Sequence, residues 1–334
     1  MATYKGIQGY SVQKLSSDPT ASEAVGQLWY NSTAGKFKIA VEAAGTWATG
    51  GDVNVGKLSM IGFGISQDAV LKSVGEGGSP SGYTNKTETY NGVTWTEVAA
   101  GSQSCSGGAG FGTTAAGINV SGNPVSPGGI TQTWNGSAWA DGNSCNTQIT
   151  GAAGIGTEGA GMKASGVTPP PAATVDTETY NGSTWSESPD VNQATYQLMG
   201  AGTTTAAIIG GGVQLPNTNY NTTEEYNGTS WTAVTAMNNG RAGFGCATSG
   251  TQNDWLVFGG GPDTPAYIDK TEKWNGTGWT ELANMGTALA NGASGGVSGS
   301  ALSVMGRGPG SIPFGVITEE WTEPVYTNKT VTVS

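Results

Sequence analysis

The chain has 334 residues, a formal charge of −11 and no histidine, which excludes Ser-His-Asp and Cys-His catalysis and His-ligated zinc or copper. The acidity, with Arg241 and Arg307 as its two arginines, argues against a nucleic-acid partner, whose backbone calls for basic stripes. Cys105, Cys145 and Cys246 are too few and too scattered for a disulfide framework or a metal site, and no apolar run reaches the ~18 residues that a membrane span needs.

The N-terminus, Met1 to Tyr10, lacks the apolar core of a signal peptide, so the expectation is a soluble protein not exported by that route. Gly26 to Ile39 reads as two strands around the turn Ser32-Thr33-Ala34-Gly35. Gly45-Thr46-Trp47 to Gly50 has the look of the last strand of a repeat whose other strands lie elsewhere. Residues 1–50 are therefore expected to form an N-terminal attachment and closure segment, and residues 51–334 one repetitive body; Lys329 to Ser334, which alternates like a strand, is the other candidate to close the ring.

From residue 87 onward one pattern recurs. Thr-Glu-Thr-Tyr-Asn-Gly-Val-Thr-Trp occupies 87–95, and related nonamers occupy 131–139, 177–185, 223–231 and 271–279. A degenerate copy starts at Thr318. The leading aromatics Tyr90, Trp134, Tyr180, Tyr226, Trp274 and Trp321 are spaced by 44, 46, 46, 48 and 47 residues. Five of them are followed by Trp95, Trp139, Trp185, Trp231 and Trp279. A strand-type period of ~40–50 residues is that of a propeller blade.

Each period reads as four short strands. Around residues 240–285 they are a small-residue strand ending near Thr248, the apolar Asp254–Phe258, Lys270–Trp274 and Thr277–Leu282. Asn275-Gly276 is expected to be a type I′ hairpin turn. The two aromatics of a repeat, five residues apart across that turn, fall on the same face. Their expected role is packing against the neighbouring blade; the alternative is a stacking platform for sugar rings. The glycine clusters Gly77-Gly78, Gly210 to Gly212 and Gly259 to Gly261 are expected to give a sharp exit from the second strand. Ser121-Gly122, Ser165-Gly166 and Gly306 to Gly308 keep part of that signal.

An apolar strand ending in Gly-Gly, a variable loop, Glu-x-Tyr/Trp and then Trp after one short turn resembles the kelch repeat, over about residues 57–323. The Tyr-to-Trp spacing is tighter than in many kelch repeats, and half the repeats lack the diglycine. The resemblance implies an all-β fold: a six-bladed kelch-like β-propeller with four-stranded antiparallel blades. The first 50 residues, with their Gly-Ile-Gln-Gly-Tyr stretch and hairpin, resemble the openings of structural and tail-associated proteins of marine bacteriophages. That resemblance implies a virion location, other virion proteins as partners, multiple copies in an assembly, and contact with a host-surface receptor or glycan. Galactose oxidase, a kelch-bladed enzyme, holds its copper with histidines absent here. Sialidases use an arginine cluster that two arginines cannot supply.

Glu88, Glu178, Glu224, Glu272 and Glu319 hold one repeat position, with Gln132 in the remaining copy, the second along the chain. Paired carboxylates could hydrolyse glycosides. An acid in nearly every repeat is better explained by a structural need, accepting backbone N–H bonds near a turn or interblade seam. Asn135, Asn181, Asn227 and Asn275 fall in glycosylation sequons but read as hairpin residues. No cofactor, metal, nucleic-acid or membrane-insertion signal is present, and no enzyme activity is expected. Recognition is expected on the loops between second and third strands, with Tyr83, Tyr220, Tyr267 and Phe314 as anchoring rings, since rings give contact area at low entropy cost. The rival readings are an intracellular kelch-type adaptor that binds a peptide and a glycan-binding propeller.

Overall fold

A computed structural model describes residues 12–42, 44–77, 82–123, 129–169, 172–214, 218–261, 267–304, 306–308, 315–323 and 326–332. Among them there is no α-helix, and no helix long and apolar enough to cross a membrane. The chain divides into two compact units, Met1–Thr46 with Glu323–Ser334, and Trp47–Thr322. The C-terminal residues thus group with the N-terminal segment and not with the repeats. Seven four-stranded sheets form, with one two-stranded hairpin, Val213–Gln214 with Thr218–Asn219.

The smaller unit holds one sheet. Its strands are β1 (Gln13–Leu15), β2 (Leu28–Asn31), β3 (Lys36–Glu42) and the C-terminal strand Tyr326–Thr330, in that order. β2 and β3 are antiparallel around Ser32–Gly35, while β1 runs parallel to β2. Trp29, Ala40 and Ala24 form its core. Asp18 lies over that face, accepting from Trp29 Nε1 (3.1 Å), Asn31 Nδ2 (2.6 Å) and Lys38 Nζ (2.5 Å). The Lys38 bond, then that of Asn31, holds the Asp18 carboxyl at about 2.

The larger unit holds six antiparallel sheets. The first is Ile61–Ser66, Ala69–Ser73, Thr87–Tyr90 and Trp95–Val98. The second is Ala109–Gly112, Gly117–Val120, Thr131–Trp134 and Trp139–Asp141. The third runs from Ala153–Thr157 to Trp185–Ser188, the fourth from Met199–Thr203 to Trp231–Val234, and the fifth from Gly245–Cys246 to Trp279–Glu281. The sixth comprises Ala293–Val297, Ser300–Val304 and Thr318–Thr322, and its outer neighbour is β4 (Thr46–Thr49), from the other end of the chain. The C-terminal strand, which could also have filled that place, pairs with β3 instead.

The repeated nonamer explains how the sheets pack. Tyr90 pairs with Trp95 directly across the hairpin, and their rings lie 5.0 Å apart; the pairs Trp134–Trp139, Tyr180–Trp185, Tyr226–Trp231 and Trp274–Trp279 repeat this at 5.0–5.5 Å. Each pair packs on the sheet before it. Tyr180 and Trp185 meet Phe111 and Ile118 of the second sheet, and Tyr90 and Trp95 meet Leu302 and Val304 of the sixth. The indole N–H then donates backwards: Trp139 to Thr87 Oγ1 (2.8 Å), Trp185 to Thr131 Oγ1 (2.7 Å) and Trp95 to Thr318 Oγ1 (2.9 Å). Trp47 of β4 follows the same rule, reaching Thr271 Oγ1 at 2.9 Å with its ring 5.6 Å from Trp321.

Three expectations need correction. The hairpin loop has four residues, and only its glycine has positive φ (Gly92 at +88°, Gly276 at +89°). The asparagine is the first loop residue, and its side-chain oxygen accepts from the N–H groups two and three residues on, as Asn91 does from Val93 and Thr94. Type I′ therefore gives way to an asparagine-capped loop. In the first sheet the exit turn is Val74-Gly75 (φ +53° and +125°), three residues before the expected Gly77-Gly78, of which Gly78 lies outside the described residues. Ser121-Gly122, Ser165-Gly166, Gly211-Gly212 and Gly259-Gly260 share that pair of positive φ values. The second member donates its N–H to the next sheet's loop, as Gly75 does to Cys105 O and Gly260 to Leu289 O. Finally, the small-residue strand near Gly245 is only two residues long.

Candidate functional site at the inner ring

The innermost strands are neighbours in cyclic order, from Ile61–Ser66 through Ala293–Val297 and back. Just before each stands one residue in the left-handed region: Ser59, Gly107, Gly151, Gln197, Gly243 and Asn291, with φ between +50° and +66°. Their backbones form a closed belt. Gly107 N–H donates to Ser59 O (2.8 Å), Gly151 to Gly107 (2.6 Å), Gln197 to Gly151 (2.7 Å), Gly243 to Gln197 (2.9 Å), Asn291 to Gly243 (2.6 Å) and Ser59 to Asn291 (2.8 Å). A non-glycine residue pays strain for this conformation, and such strain gathers at functional sites. At Gly243, φ is +55° and a Cβ would lie 2.1 Å from Asn291 Oδ1, so a larger residue would be strained and would displace the Asn291 side chain.

All six belt residues line a cavity of about 310 Å³. Around them stand Ser106, Asn123, Thr150, Tyr196 and Glu76, with Met60, Met199 and Phe244 below. The residues one step before the belt are bridged to those just past the second-strand exit, as Leu58 to Glu76, Ser106 to Asn123 and Thr150 to Val167. The cavity therefore opens on the side from which the loops between second and third strands leave. Its lining is hydroxyl and amide groups over apolar side chains. Glu76, which accepts from Ser59 Oγ at 3.4 Å, is its one carboxylate among the described residues. Such a surface can hydrogen-bond a neutral polar ligand or a peptide backbone. It lacks the pair of carboxylates that glycoside hydrolysis uses.

The expected anchors fare differently. Tyr83 is 40 % exposed, and its hydroxyl accepts from the cavity-lining Asn123 at 3.1 Å. Tyr220 donates to Gln214 Oε1 of its own hairpin at 2.5 Å. Its backbone N–H to Gly212 O matches those of Thr84 and Ile268, so it stands one position away from Tyr83 and Tyr267. Tyr267 is half-buried, and Phe314 lies outside the described residues. Sequence reasoning missed Gln197, Asn291, Asn123, Tyr196 and Glu76. Their only shared signal is the belt position, which the variable loops hide.

The repeated carboxylates lie elsewhere, buried at the seams. Glu178 accepts from the backbone N–H groups of Asn146 and Thr147 (both 2.8 Å) and pairs with the fully buried Lys163 at 2.5 Å. Glu88 accepts from Asn54 N (2.9 Å) and pairs with Lys72 (2.6 Å). Burial pushes the Lys72 ammonium below its usual range, with Glu88 opposing that shift. Glu224 accepts from Asn192 N (2.9 Å), Glu319 from Gly286 N (2.7 Å), and Glu272 from Asn238 N (2.8 Å) and the buried Arg241 (2.5 Å). Gln132 donates instead, to Ser102 and Asp141. Among the described residues, Asp176, Glu178 and Glu187 come within 4.8 Å of one another. The Lys163 ammonium already sits there, 3.3 Å from Asp176 and 2.5 Å from Glu178.

No protein-family model matches the chain, and no curated relative matches it. Among solved structures the chain is similar to that of YjhT, a kelch-like β-propeller, with a TM-score of 0.62 at 14% identity over 84% of this chain and 99% of that one. The likeness concerns fold alone. The chain contains an all-β propeller built from four-stranded sheets.

Proposed function

We propose that this protein is a non-enzymatic structural component of a bacteriophage virion, in the tail, fibre or head-surface apparatus. Its six repeat sheets are the blades of one ring closed by β4, and residues 1–50 serve attachment as well as closure. The ring's mouth contacts a protein or a host-surface receptor or glycan. One observation carries the non-enzymatic part. The groups with chemical potential are spent in the framework: the five repeat glutamates accept backbone N–H bonds at seams, and Arg241 is buried against Glu272. What remains at the mouth is mostly neutral and polar, with Glu76 as a single carboxylate in the lining and Tyr83 at its edge. The virion part is supported by the resemblance of the first 50 residues and of the Thr/Gly-rich repeats to phage structural proteins.

The test is mass spectrometry of purified particles of the phage that encodes this chain, followed by Tyr83→Ser and Tyr267→Ser in the phage. The reading expects the polypeptide in the particle, and slower adsorption or defective assembly in the double variant. Absence of the polypeptide from purified particles would sink the virion reading. A polypeptide present in particles, with unchanged adsorption and assembly, would move the contact surface away from the mouth.

A further inference from the structure

Among the described residues, one face of the smaller unit's sheet is covered and the opposite, apolar face is not. Register sorts its side chains. Trp29, Asn31, Lys38, Ala40 and Asn328 share the face under Asp18 and Pro19, where Asn328 Nδ2 also donates to Pro19 O at 3.0 Å. The opposite face carries Leu28 and Tyr30 from β2, and Phe37, Ile39 and Val41 from β3. On the C-terminal strand it carries Lys329, and the backbone bond from Val331 N to Phe37 O continues the register to Val331. Tyr30 and Phe37 confirm the assignment, packing edge to face at 5.2 Å. Leu28 is 38 % exposed, Phe37 46 % and Val331 41 %. One isolated Leu on a surface needs no explanation, but a contiguous apolar sheet face does.

We infer that this face is a self-association surface, on which the sheets of two copies of the chain stack face to face. Three observations favour a second copy. The face has the anatomy of an interface: its centre is apolar, and its charged members, Lys14 and Lys329, sit on the two edge strands, where they can stay hydrated. Charge is distributed to suit it. The larger unit holds twenty carboxylates against six lysines and two arginines, whereas the smaller holds four against five lysines. Copies therefore repel each other through their propellers and least through this sheet, and the whole chain is repelled by an anionic membrane. Size is the third. Four strands ~4.8 Å apart and ~20 Å long make a plane of roughly 300 Å², well under the ~800 Å² per partner of a tight complex. Association is then weak in solution, and gains strength where many copies are held together. The inference does not depend on a virion location.

Sedimentation velocity on the full chain tests it, from low to high micromolar concentration. The weight-average mass should climb from 33.6 kDa towards twice that value. Phe37→Asp should raise the dissociation constant by more than ~tenfold, while Tyr83→Ser at the mouth leaves it unchanged. If Phe37→Asp fails to fold, Phe37→Thr, which keeps strand propensity, takes its place. A wild-type chain that stays monomeric throughout overturns the inference, as does a dimer that both Phe37 variants leave intact. A monomer that binds phosphatidylglycerol vesicles through Phe37 overturns it too, and assigns the face to lipid.

Discussion

Replacing Trp185 with alanine probes the seam between the second and third sheets. The side chain is 7 % exposed, its ring lies 5.0 Å from Tyr180 and 6.5 Å from Phe111, and its N–H donates to the fully buried Thr131 hydroxyl at 2.7 Å. Truncation leaves a cavity that sheet packing cannot collapse, so the expected loss is about 3–5 kcal/mol. Stranding the Thr131 hydroxyl belongs within that range, since one neutral hydrogen bond is worth about 1 kcal/mol. For a unit of this size the melting temperature should fall by roughly 10 °C. Trp185→Phe keeps a ring but loses the bond and some volume, and should cost clearly less. Urea unfolding followed by tryptophan fluorescence and circular dichroism gives both values. If Trp185→Ala folds with a loss below ~1 kcal/mol, the ring is not a seam element. Retained stability with lost glycan binding would instead make it a stacking platform.

Trp47→Ala should cost nearly as much as Trp185→Ala if β4 is the outer strand of the sixth sheet. Deleting residues 1–50 should lower the melting temperature of the whole ring, and an unchanged melt in calorimetry would reject closure by β4. Glu178→Ala leaves Lys163 with Asp176 as its one carboxylate, beside the Thr147 carbonyl, and strips two backbone N–H groups of their acceptor, so about 3 kcal/mol should be lost in urea titrations, and less in Glu178→Gln, which can still accept. Equal losses in the two variants would refute the N–H role. Asp18, held at about 2 against an ordinary 3.8, contributes stability that is fully present above pH 3.8 and disappears as pH falls through about 2. Carboxyl chemical shifts of Asp18 followed with pH should show that midpoint, and a midpoint near 3.8 would remove its role in ordering the smaller unit.

Much of the architecture was written in the repeat. A fixed offset between Tyr or Trp and the following Trp survives because each pair packs on the preceding sheet, where the indole N–H finds a threonine hydroxyl (Trp95, Trp139, Trp185) or a backbone carbonyl (Trp231, Trp279). The spare Gly45-Thr46-Trp47 was legible for the same reason. The belt was not. Its six positions are occupied by Ser, Gly, Gly, Gln, Gly and Asn, and the backbone bonds that define it ask nothing of the side chain beyond a tolerated left-handed φ. The exit at Val74-Gly75 escaped too, since a β-branched residue at φ +53° is the last choice that propensity would make. Lys329 to Ser334 alternates as any edge strand does, and alternation alone does not say which edge it joins.

The substitution of Gln132 for glutamate shows what the repeat position requires. At that seam the amide donates to Ser102 and Asp141, and the cation found beside Glu88 and Glu178 is replaced by Asn119, which donates to the Ser73 hydroxyl. Acid and base vanish together, and the sheet keeps its form. The position therefore demands satisfied hydrogen bonds; a buried cation meets the charge at Glu88, Glu178 and Glu272, while N–H donors meet it at Glu224 and Glu319. A framework of this kind draws Lys72, Lys163 and Arg241 inward and leaves the mouth to serine, asparagine, glutamine and tyrosine, with the one carboxylate of Glu76. Those residues bind by shape and neutral hydrogen bonds. This is the physical reason to look for a partner at the mouth.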